Sequence, residues 1–446
     1  MNDDFKNISP EMFEFVQEET QIKDEEFKGK RIGFYKDAWI RFRRNKVSLV
    51  AFILICIILL FTFVGPYLRD YNVPKENPNQ ALSIAYMPAR IPGLEKLGIF
   101  DGARTVTITR SYYETLPKEM IKKVKGTRSN SGSDEVIVEV YYYQYFNYQK
   151  SYDAGNRDTN GNIIVPTVNL SKAEYEDALE RGLVIQLVST NGVSYTTQVR
   201  YLEFVFNQNV EDIYFWFGTE ELGRDLFTLI WSGSRVSMLM AITIMLINIV
   251  IGVFFGSIAG YYGGKIDLVF DRVVEILSGI PFMGLLSLLV LRFGPTTSIV
   301  IVAFTLTGWI GVYGSTRAQT YRYKNREYVL AARTLGASDA RIISKHILPN
   351  ALGTLITSFS LMIPSFIFTE STYSFLGIIN YSNATSIGRL ISEGQNVMQL
   401  YPHALLFPAI YISILMIAFN LFSNGLRDAF NPSLRGVEEW WKIIKY

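Results

Sequence analysis

Apolar residues are concentrated in six stretches that contain no Asp, Glu, Lys, Arg or His: 47–68, 236–264, 276–291, 293–316, 347–369 and 404–426. Five of these stretches reach the ~18 residues that a bilayer-spanning helix needs. The short stretch 276–291 becomes a full span when Val273 and Val274 are added, which leaves Glu275 near its inner end. The pattern predicts six transmembrane helices and excludes an ordinary soluble enzyme, in which apolar residues would occur in short periodic runs.

Basic residues mark one side of the membrane. Residues 28–46 contain eight basic residues against Asp37 alone, and residues 317–346 contain seven against Glu327 and Asp339. Positive charge near the ends of spans stays in the cytoplasm, so both stretches are predicted inside and the segment between the first two spans outside. The first span begins too far from Met1 to be a cleaved signal peptide.

These assignments define the predicted organisation of an all-α polytopic membrane protein with an α+β insertion. It consists of a cytoplasmic segment at 1–46, helix 1 at 47–68, an outer region at 69–235 with the insertion at about 82–212, a core at 236–426 with an inner loop at 317–350, and a cytoplasmic tail at 427–446.

β-branched and aromatic runs predict strands in the insertion at 136–148, 183–188 and 195–206. Between them, Ser171 and Glu174 have the spacing of a capping box, which predicts a helix to about Arg181. The polar, turn-rich residues 110–135 are expected to form a loose excursion.

The composition also bears on which partners, metals and cofactors to expect. The 43 basic and 41 acidic residues give a net charge of +2, so nucleic acid is not an expected partner. The single cysteine, Cys56, lies in the first apolar run, and the two histidines are far apart in sequence, so no metal site is expected. The chain contains no G-x-x-x-x-G-K-[ST] phosphate loop, and we expect neither a bound cofactor nor enzymatic activity.

The inner loop contains the most informative pattern. We predict a helix that ends at Gly336, followed by a second helix that Ser338 caps and Pro349 closes. The small side chains would let a partner surface approach closely, and the charged ones would anchor it. The residues concerned are Glu327, Ala331, Ala332, Arg333, Gly336, Arg341 and Pro349. The alternative is a solvated basic connector that only enforces topology.

The pattern E-Y-V-x-A-A-R-x-x-G at 327–336, with I-L-P at 347–349, resembles the cytoplasmic coupling loop of ABC-importer permeases of the oligopeptide/dipeptide family. Residues 36–46, 217–227, 393–394 and 420–432 resemble further segments of that family, closest to its second, C-type permease. The chain departs from the family at Leu330, which occupies an acidic position of the short motif, and in its much longer insertion.

The resemblance implies one permease of an ATP-driven importer in the bacterial cell membrane. The implied partners are a second homologous permease, two ATP-binding subunits that use ATP and Mg²⁺, an extracytoplasmic peptide-binding protein and an oligopeptide or dipeptide. It also implies an outer motif or gate at Gly218, Thr219, Gly223, Arg224 and Asp225. Three alternatives stay open: nickel or another small solute as cargo, a membrane-anchored surface-binding protein, and a secondary transporter, although the internal repeats expected of the last are not visible.

Two features of the apolar stretches stand out, an acidic residue with two interpretations and a row of glycines. Glu370, at the predicted outer end of the fifth span, either faces a cavity or partner on the transport pathway or extends outward to the interface. Gly252, Gly256 and Gly260 form a row that favours close helix packing.

Two features of the insertion are equally ambiguous. Asn156–Gly161 resembles half of a calcium loop, but Thr167 stands where the bidentate Glu belongs, so a hairpin turn is the alternative. The tyrosine run at 141–148 is either strand core or a peptide-binding platform.

Overall fold

A computed structural model describes residues 34–68, 84–130, 133–155, 163–381 and 385–430. The predicted calcium loop at Asn156–Gly161, most of the cytoplasmic segment 1–46 and most of the tail 427–446 lie outside the described residues. Described helices and strands are numbered below in chain order.

Two helices begin the described chain: α1 (Phe34–Arg44) and α2 (Lys46–Val64). Asn45 separates them, because its side chain accepts a hydrogen bond from the Ser48 amide and so caps α2. The apolar helix α2 is the first candidate span, extended to Tyr67 by a 3₁₀ turn.

The insertion is α+β, as predicted. Its elements are β1 (Ala103–Thr109), α3 (Arg110–Thr115), β2 (Ile121–Asn130), β3 (Ser133–Tyr141), α4 (Tyr142–Ser151), β4 (Val168–Ser171), α5 (Lys172–Glu180), β5 (Val184–Thr190), β6 (Ser194–Val199) and α6 (Tyr201–Phe206). The strands form two antiparallel three-stranded sheets, in the orders β1-β3-β2 and β4-β6-β5.

The predicted capping box is confirmed at the start of α5. The Ser171 hydroxyl accepts a hydrogen bond from the Glu174 amide, and the Glu174 carboxylate accepts one from the Ser171 amide at 2.7 Å. Two orphan amides of the first helical turn are therefore satisfied reciprocally.

The strand predicted over 136–148 is wrong beyond Tyr141, where the chain turns into α4. Burial changes there from every second residue, at Val136, Val138 and Val140, to the helical spacing of Tyr143 and Phe146. An aromatic run suits a buried helix face as well as a strand, so composition alone did not separate the two.

Two further predictions in the insertion are corrected. The strand predicted over 195–206 ends at Val199, and α6 follows it. The residues at 110–135 are not a loose excursion, because they form α3, β2 and the start of β3, and β2 pairs with β3 along its length. Backbone pairing with a neighbouring strand stabilises this polar stretch without requiring apolar side chains.

The membrane core consists of α7 (Leu226–Tyr262), α8 (Gly264–Ser278), α9 (Phe282–Phe293), α10 (Thr297–Tyr323), α11 (Glu327–Thr334), α12 (Asp339–Arg341), α13 (Leu348–Ser360), α14 (Met362–Phe375), α15 (Ile387–Val397) and α16 (His403–Phe430). Among the described residues, five helical stretches are long and apolar enough to cross a membrane: α2, α7, α10, residues 339–375 and α16. If the bent pair α8 and α9 counts as one span, the number of candidate spans is six.

The third predicted span is therefore not one straight helix. Helices α8 and α9 meet at 70°, with Gly279, Ile280 and Pro281 between them. Proline lacks the amide that a continuous helix would use, and the preceding residue is pushed towards extended geometry, so the break falls at this point.

The glycine row packs α7 against α10, as predicted. A side-chain carbon added at Gly252 would lie 2.5 Å from Val312, and one added at Gly256 would lie 2.6 Å from the carbonyl oxygen of Tyr313. These glycines therefore let the two helix backbones approach closely. Deeper in the bundle, buried side chains from five helices form one core: Met238, Leu286, Ala303, Ile367 and Leu415.

Candidate functional site

The inner loop begins with the short helix α11, which ends as predicted at a left-handed glycine. Gly336 has φ +79°, and its amide donates to the carbonyl oxygen of Arg333 at 3.0 Å. The Ala337 amide donates to the carbonyl oxygen of Ala332, also at 3.0 Å. Nothing lies within 4 Å of a side-chain carbon added at Gly336, so the backbone conformation, and not a lack of space, favours glycine there.

One tyrosine at the inner end of α7 holds this loop. The Tyr261 hydroxyl donates to the Asp339 carboxylate at 2.6 Å and accepts a hydrogen bond from the Arg333 guanidinium at 3.2 Å. Tyr261 also packs with Val329, Ile342 and Ile347 in a small buried cluster. Tyr261 thus fixes both halves of the loop, before and after Gly336. The sequence analysis missed it, although it stands where an apolar run ends beside the loop.

A second anchor is Lys324, whose ammonium donates to the carbonyl oxygens of Gly260 and Tyr261 at 2.9 and 3.3 Å. Burial lowers the pKa of Lys324 below its ordinary value; Asp267 opposes this effect and Arg333 adds to it. This lysine ties the end of α10 to the end of α7.

The opposite face of α11 is uncovered. Val329 is buried, whereas Leu330 and Leu335 are 44% and 88% exposed. Glu327 and Ala331 are also exposed, and Ala332 is half-buried. Arg333 is exposed too, and one of its guanidinium nitrogens donates a hydrogen bond to the Tyr261 hydroxyl. The loop therefore presents small, apolar and charged side chains on a helix that is fixed from its other side.

The second half of the loop differs from the prediction. Ser338 stands at the helix start without a capping bond from its side chain, and Pro349 does not close the helix. A widened π-helical turn at Ile342–Ile347 precedes Pro349, which lies in the first turn of α13. The wider hydrogen-bonding pattern of the π-helical turn accommodates the proline, so the helical stretch continues from Asp339 to Phe375. Arg341 is exposed just before that turn.

An ion pair that the sequence analysis missed fixes the inner ends of α8 and α10. The Arg317 guanidinium donates to both carboxylate oxygens of Asp267, at 2.6 and 2.8 Å, and lies 3.2 Å from Asp271. The Tyr321 hydroxyl donates to Asp267 at 2.6 Å. Such a two-pronged contact is more directional than a single ion pair, so it holds the broken third span against α10.

The outer motif lies at the other end of α7. The Asp225 carboxylate accepts hydrogen bonds from the amide and hydroxyl of Thr228, at 2.9 and 2.8 Å, and so caps α7. The helix consequently begins ten residues before the apolar run at 236. Arg224 pairs with Glu220 at 2.8 Å, and Gly223 adopts φ +75° in the turn between them.

The same motif holds the start of the insertion. The buried Thr219 hydroxyl donates to the carbonyl oxygen of Ile84 and accepts from the amide of Met87, both at 2.7 Å. Gly218 has φ +82°, and an added side-chain carbon would lie 2.5 Å from the carbonyl oxygen of Met87 and from the His403 ring. These contacts describe a rigid junction, and the role of a gate stays a prediction.

Aromatic contacts extend this junction to the last outer loop. Tyr86 stacks on Tyr401 with centroids 4.3 Å apart, and the Arg104 guanidinium lies 4.4 Å from the centroid of the Tyr401 ring. Burial, together with the neighbouring carboxylates of Glu221 and Glu220, raises the pKa of Tyr86 to about 12. The insertion and the segment before α16 are therefore in direct contact.

Glu370 is fully buried, so the interpretation in which it extends outward to the interface is wrong. Its carboxyl lies 3.5 Å from the Ser237 hydroxyl on α7 and 3.3 Å from the Ser374 hydroxyl. The Ser237 and Ser374 hydroxyls satisfy the buried acid, and the contact with Ser237 connects α14 to α7. The place of Glu370 on a transport pathway stays a prediction.

Two family models match the chain. The binding-protein-dependent transport system inner membrane component covers residues 252–436, and the N-terminal TM domain of oligopeptide transport permease C covers residues 33–88. The dipeptide transport system permease protein DppC of Bacillus subtilis is 43% identical over 221 residues, which is 49% of this chain and 69% of that protein. The chain belongs to this permease family.

Two other relatives of this permease carry related names. The oligopeptide transport system permease protein OppC of Bacillus subtilis is 40% identical over 49% of this chain and 72% of that protein. The glutathione transport system permease protein GsiD of Pectobacterium atrosepticum is 33% identical over 49% of this chain and 73% of that protein. This permease is thus an inner-membrane transport component, and residues 89–251 lie between the two family models.

Proposed function

We propose that this permease imports oligopeptides or dipeptides as half of the translocation path of an ATP-driven importer. An extracytoplasmic binding protein delivers the peptide, a second permease forms the other half of the path, and two ATPases supply the energy with ATP and Mg²⁺. The named relatives support the cargo, since their printed names concern dipeptides, oligopeptides and glutathione.

The uncovered face of α11 carries the coupling part of the proposal. Leu335 is 88% exposed on a loop that Tyr261 and Lys324 hold in one orientation. A topological connector has no need of a fixed apolar face, whereas a partner ATPase would bury it. The loop 327–349 would pass movement of that ATPase to α7 and to the helix that continues from Asp339.

The test uses Gly336→Val and Ala332→Asp in the complete importer. A β-branched residue in the left-handed conformation costs about 1–2 kcal/mol and would reorient the chain after α11. An aspartate at 332 would place an uncompensated charge in the junction with the ATPase. We expect normal membrane levels for both variants, loss of peptide uptake, and loss of ATPase co-purification or of its coupling.

The matched control is Gly182→Val. Gly182 in the insertion also has a left-handed φ, +66°, and nothing within 4 Å of an added side-chain carbon. It should incur the same backbone penalty and retain uptake. Normal transport by both inner-loop variants would show that the loop is only a connector.

Orientation is tested separately, in a Cys56→Ser background. We expect Thr190→Cys to react with an impermeant maleimide in intact cells and Ser338→Cys to react only after lysis. Both residues are exposed, so access to the reagent depends on the side of the membrane. Equal labelling in intact cells would contradict the proposed topology, in which both termini are cytoplasmic and residues 69–235 lie outside.

A further inference from the structure

A short loop at the start of the insertion exposes three large apolar side chains. The loop, here called the apolar loop, comprises residues 92–99. Leu94, Leu97 and Ile99 are all exposed, and Leu97 is 72% exposed. Large apolar side chains that are exposed close together mark a surface that a membrane or another protein covers.

Backbone hydrogen bonds give the apolar loop a defined shape. At its base, the Ile91 amide donates to the carbonyl oxygen of Phe100 at 2.9 Å. Within it, the Gly98 amide donates to the carbonyl oxygen of Glu95 at 3.0 Å, and Gly98 has φ +71°. The three apolar side chains are therefore held outside by an ordered turn.

The base of the apolar loop contacts the helix bundle at the outer end of a span. The centroid of the Phe100 ring lies 5.4 Å from that of Phe407, near the start of α16. Phe217 stacks on the same Phe407 ring, with centroids 4.2 Å apart. Phe100 also packs against the main buried core of the bundle. The apolar loop therefore begins and ends at the level where α16 enters the membrane.

Other aromatic rings place this level at the membrane interface. From Phe217 the contacts continue to Phe227 at 5.2 Å, from Phe227 to Trp231 at 6.0 Å, and from Trp231 to Tyr411 at 5.6 Å, as distances between centroids. Tryptophan and tyrosine side chains are enriched where a span leaves the hydrocarbon. The Phe100 contact thus puts the apolar loop beside the lipid headgroups.

The charges of the apolar loop also suit a lipid surface. Its one acidic residue, Glu95, is turned towards the insertion, where it lies 3.0 Å from the Arg90 guanidinium and accepts a hydrogen bond from the Tyr214 hydroxyl at 3.1 Å. Lys96 is exposed. A lysine can place its ammonium among phosphate groups while its apolar neighbours lie deeper.

We propose that the apolar loop enters the outer leaflet of the bilayer beside α16, with Leu94, Leu97 and Ile99 among the acyl chains and Lys96 at the phosphates. Lipid removes the apolar side chains from water without requiring a further subunit. This contact goes beyond the proposed import function, because it holds the insertion on the membrane and involves neither peptide nor ATP.

The test measures the surroundings of a nitroxide spin label on the full chain in nanodiscs of phosphatidylcholine and phosphatidylglycerol. The label is attached to Leu97→Cys in a Cys56→Ser background. Power saturation is recorded with oxygen, which concentrates in hydrocarbon, and with a neutral nickel chelate, which stays in water. The matched control is Val193→Cys, at a 79% exposed apolar residue beside β6 in the same insertion.

We expect the label at Leu97 to be accessible to oxygen and to lose access to the nickel chelate, whereas the label at Val193 should be open to the chelate. A second label, at Ile99→Cys, should behave like that at Leu97. Adding Leu97→Glu should restore chelate access at Ile99, because a carboxylate is costly to place among acyl chains. Leu179→Glu, at an exposed leucine of α5, should not. The contact is not part of the translocation path, so Leu97→Glu should not reduce uptake.

Chelate access at Leu97 equal to that at Val193 would place the apolar loop in water and overturn the proposal. A Leu97 label closed to both oxygen and the chelate would be buried in protein, which would overturn it as well. The same holds if chelate access is lost only in the complete importer, because another subunit would then cover the loop. The measurement uses neither peptide nor ATP, so its failure would leave the proposed import function to its own test.

Discussion

The two ends of α7 are built in opposite ways. At the inner end, Tyr261 and Lys324 hold α11 from one side and leave Leu335 uncovered on the other. At the outer end, Thr219 and Asp225 are buried, and their side chains bond to backbone amides and carbonyls on both sides of the junction. The inner end thus leaves an apolar side chain exposed, and the outer end forms one unit with the insertion.

This difference separates two kinds of residue. Inner-loop side chains on the uncovered face should affect transport without affecting stability, since the fold does not bury them. Outer-junction side chains should affect stability first, because their removal leaves buried backbone groups without partners. Three substitutions test this separation, and a fourth tests an ion network within the insertion.

Leu335→Glu should have the largest effect. The side chain is 88% exposed, so the isolated permease should keep its melting temperature. Burial of an unpaired carboxylate against an ATPase should lower complex formation and uptake by about tenfold or more. Co-purification and uptake are measured together. Leu97→Glu, at a 72% exposed leucine of the insertion, is the control and should transport normally. Equal loss in both variants would remove the distinction between the two faces.

Thr219→Val should act on stability. The substitution keeps the volume but removes the hydroxyl that bonds to Ile84 and Met87, at a cost of about 2–4 kcal/mol. We expect a lower melting temperature and less protein in the membrane, with normal uptake per surviving molecule. Thr243→Val, which removes an exposed hydroxyl bonded within α7, should change neither. Full stability with defective transport would instead favour a gating role for the outer motif.

Tyr261→Phe should have a smaller effect, on the coupling of transport to ATP hydrolysis and not on stability. Its hydroxyl joins Arg333 and Asp339, both exposed, so water replaces much of what is lost and the cost is about 1 kcal/mol. We expect near-normal stability and about fivefold fewer peptides transported per ATP hydrolysed. Tyr323→Phe, in the same cluster, is the control. An unchanged transport ratio would mean that burial of Val329 alone orients the loop.

Glu139→Gln should have the smallest effect, confined to the first sheet of the insertion. Hydrogen bonds from Lys125 and Lys122 hold the pKa of Glu139 below its ordinary value, against the opposing effect of burial. A lowered carboxyl pKa stabilises the fold at neutral pH, and this contribution is lost as the pH falls through the folded-state pKa. Hydrogen exchange of β3 should be faster in the variant at pH 7 by the equivalent of about 0.5 kcal/mol. The difference should vanish once Glu139 is protonated, and its persistence would exclude this ion network as the cause.

The sequence predicted what depends on composition over long stretches or on fixed local spacing. Five apolar runs coincide with helices, the Ser171–Glu174 spacing gives a capping box, and Gly336 has the left-handed conformation that its position required. These features arise from solvent transfer and local hydrogen bonds, which need no knowledge of distant contacts.

The remaining errors concern choices that tertiary contacts decide. The Tyr142–Tyr148 run became a helix because it packs its rings against Tyr201 and Phe215, which come much later in the chain. Pro349 continued a helix because a π-helical turn accommodates it, and no local pattern indicates such a turn. The Tyr261 anchor was missed for the same reason, because its partners Arg333 and Asp339 follow α10 in the chain and are far from Tyr261 in sequence.

The uninterrupted length of α7 has a mechanical consequence. Its 37 residues extend about 55 Å, well beyond the ~30 Å of hydrocarbon that a helix must cross. Asp225 and Tyr261 therefore lie at opposite ends of one continuous helix. A tilt of about 5° about one end would displace the other by about 5 Å at this length. Small rotations imposed on the loop after Tyr261 would then reach the insertion as movements the size of a side chain.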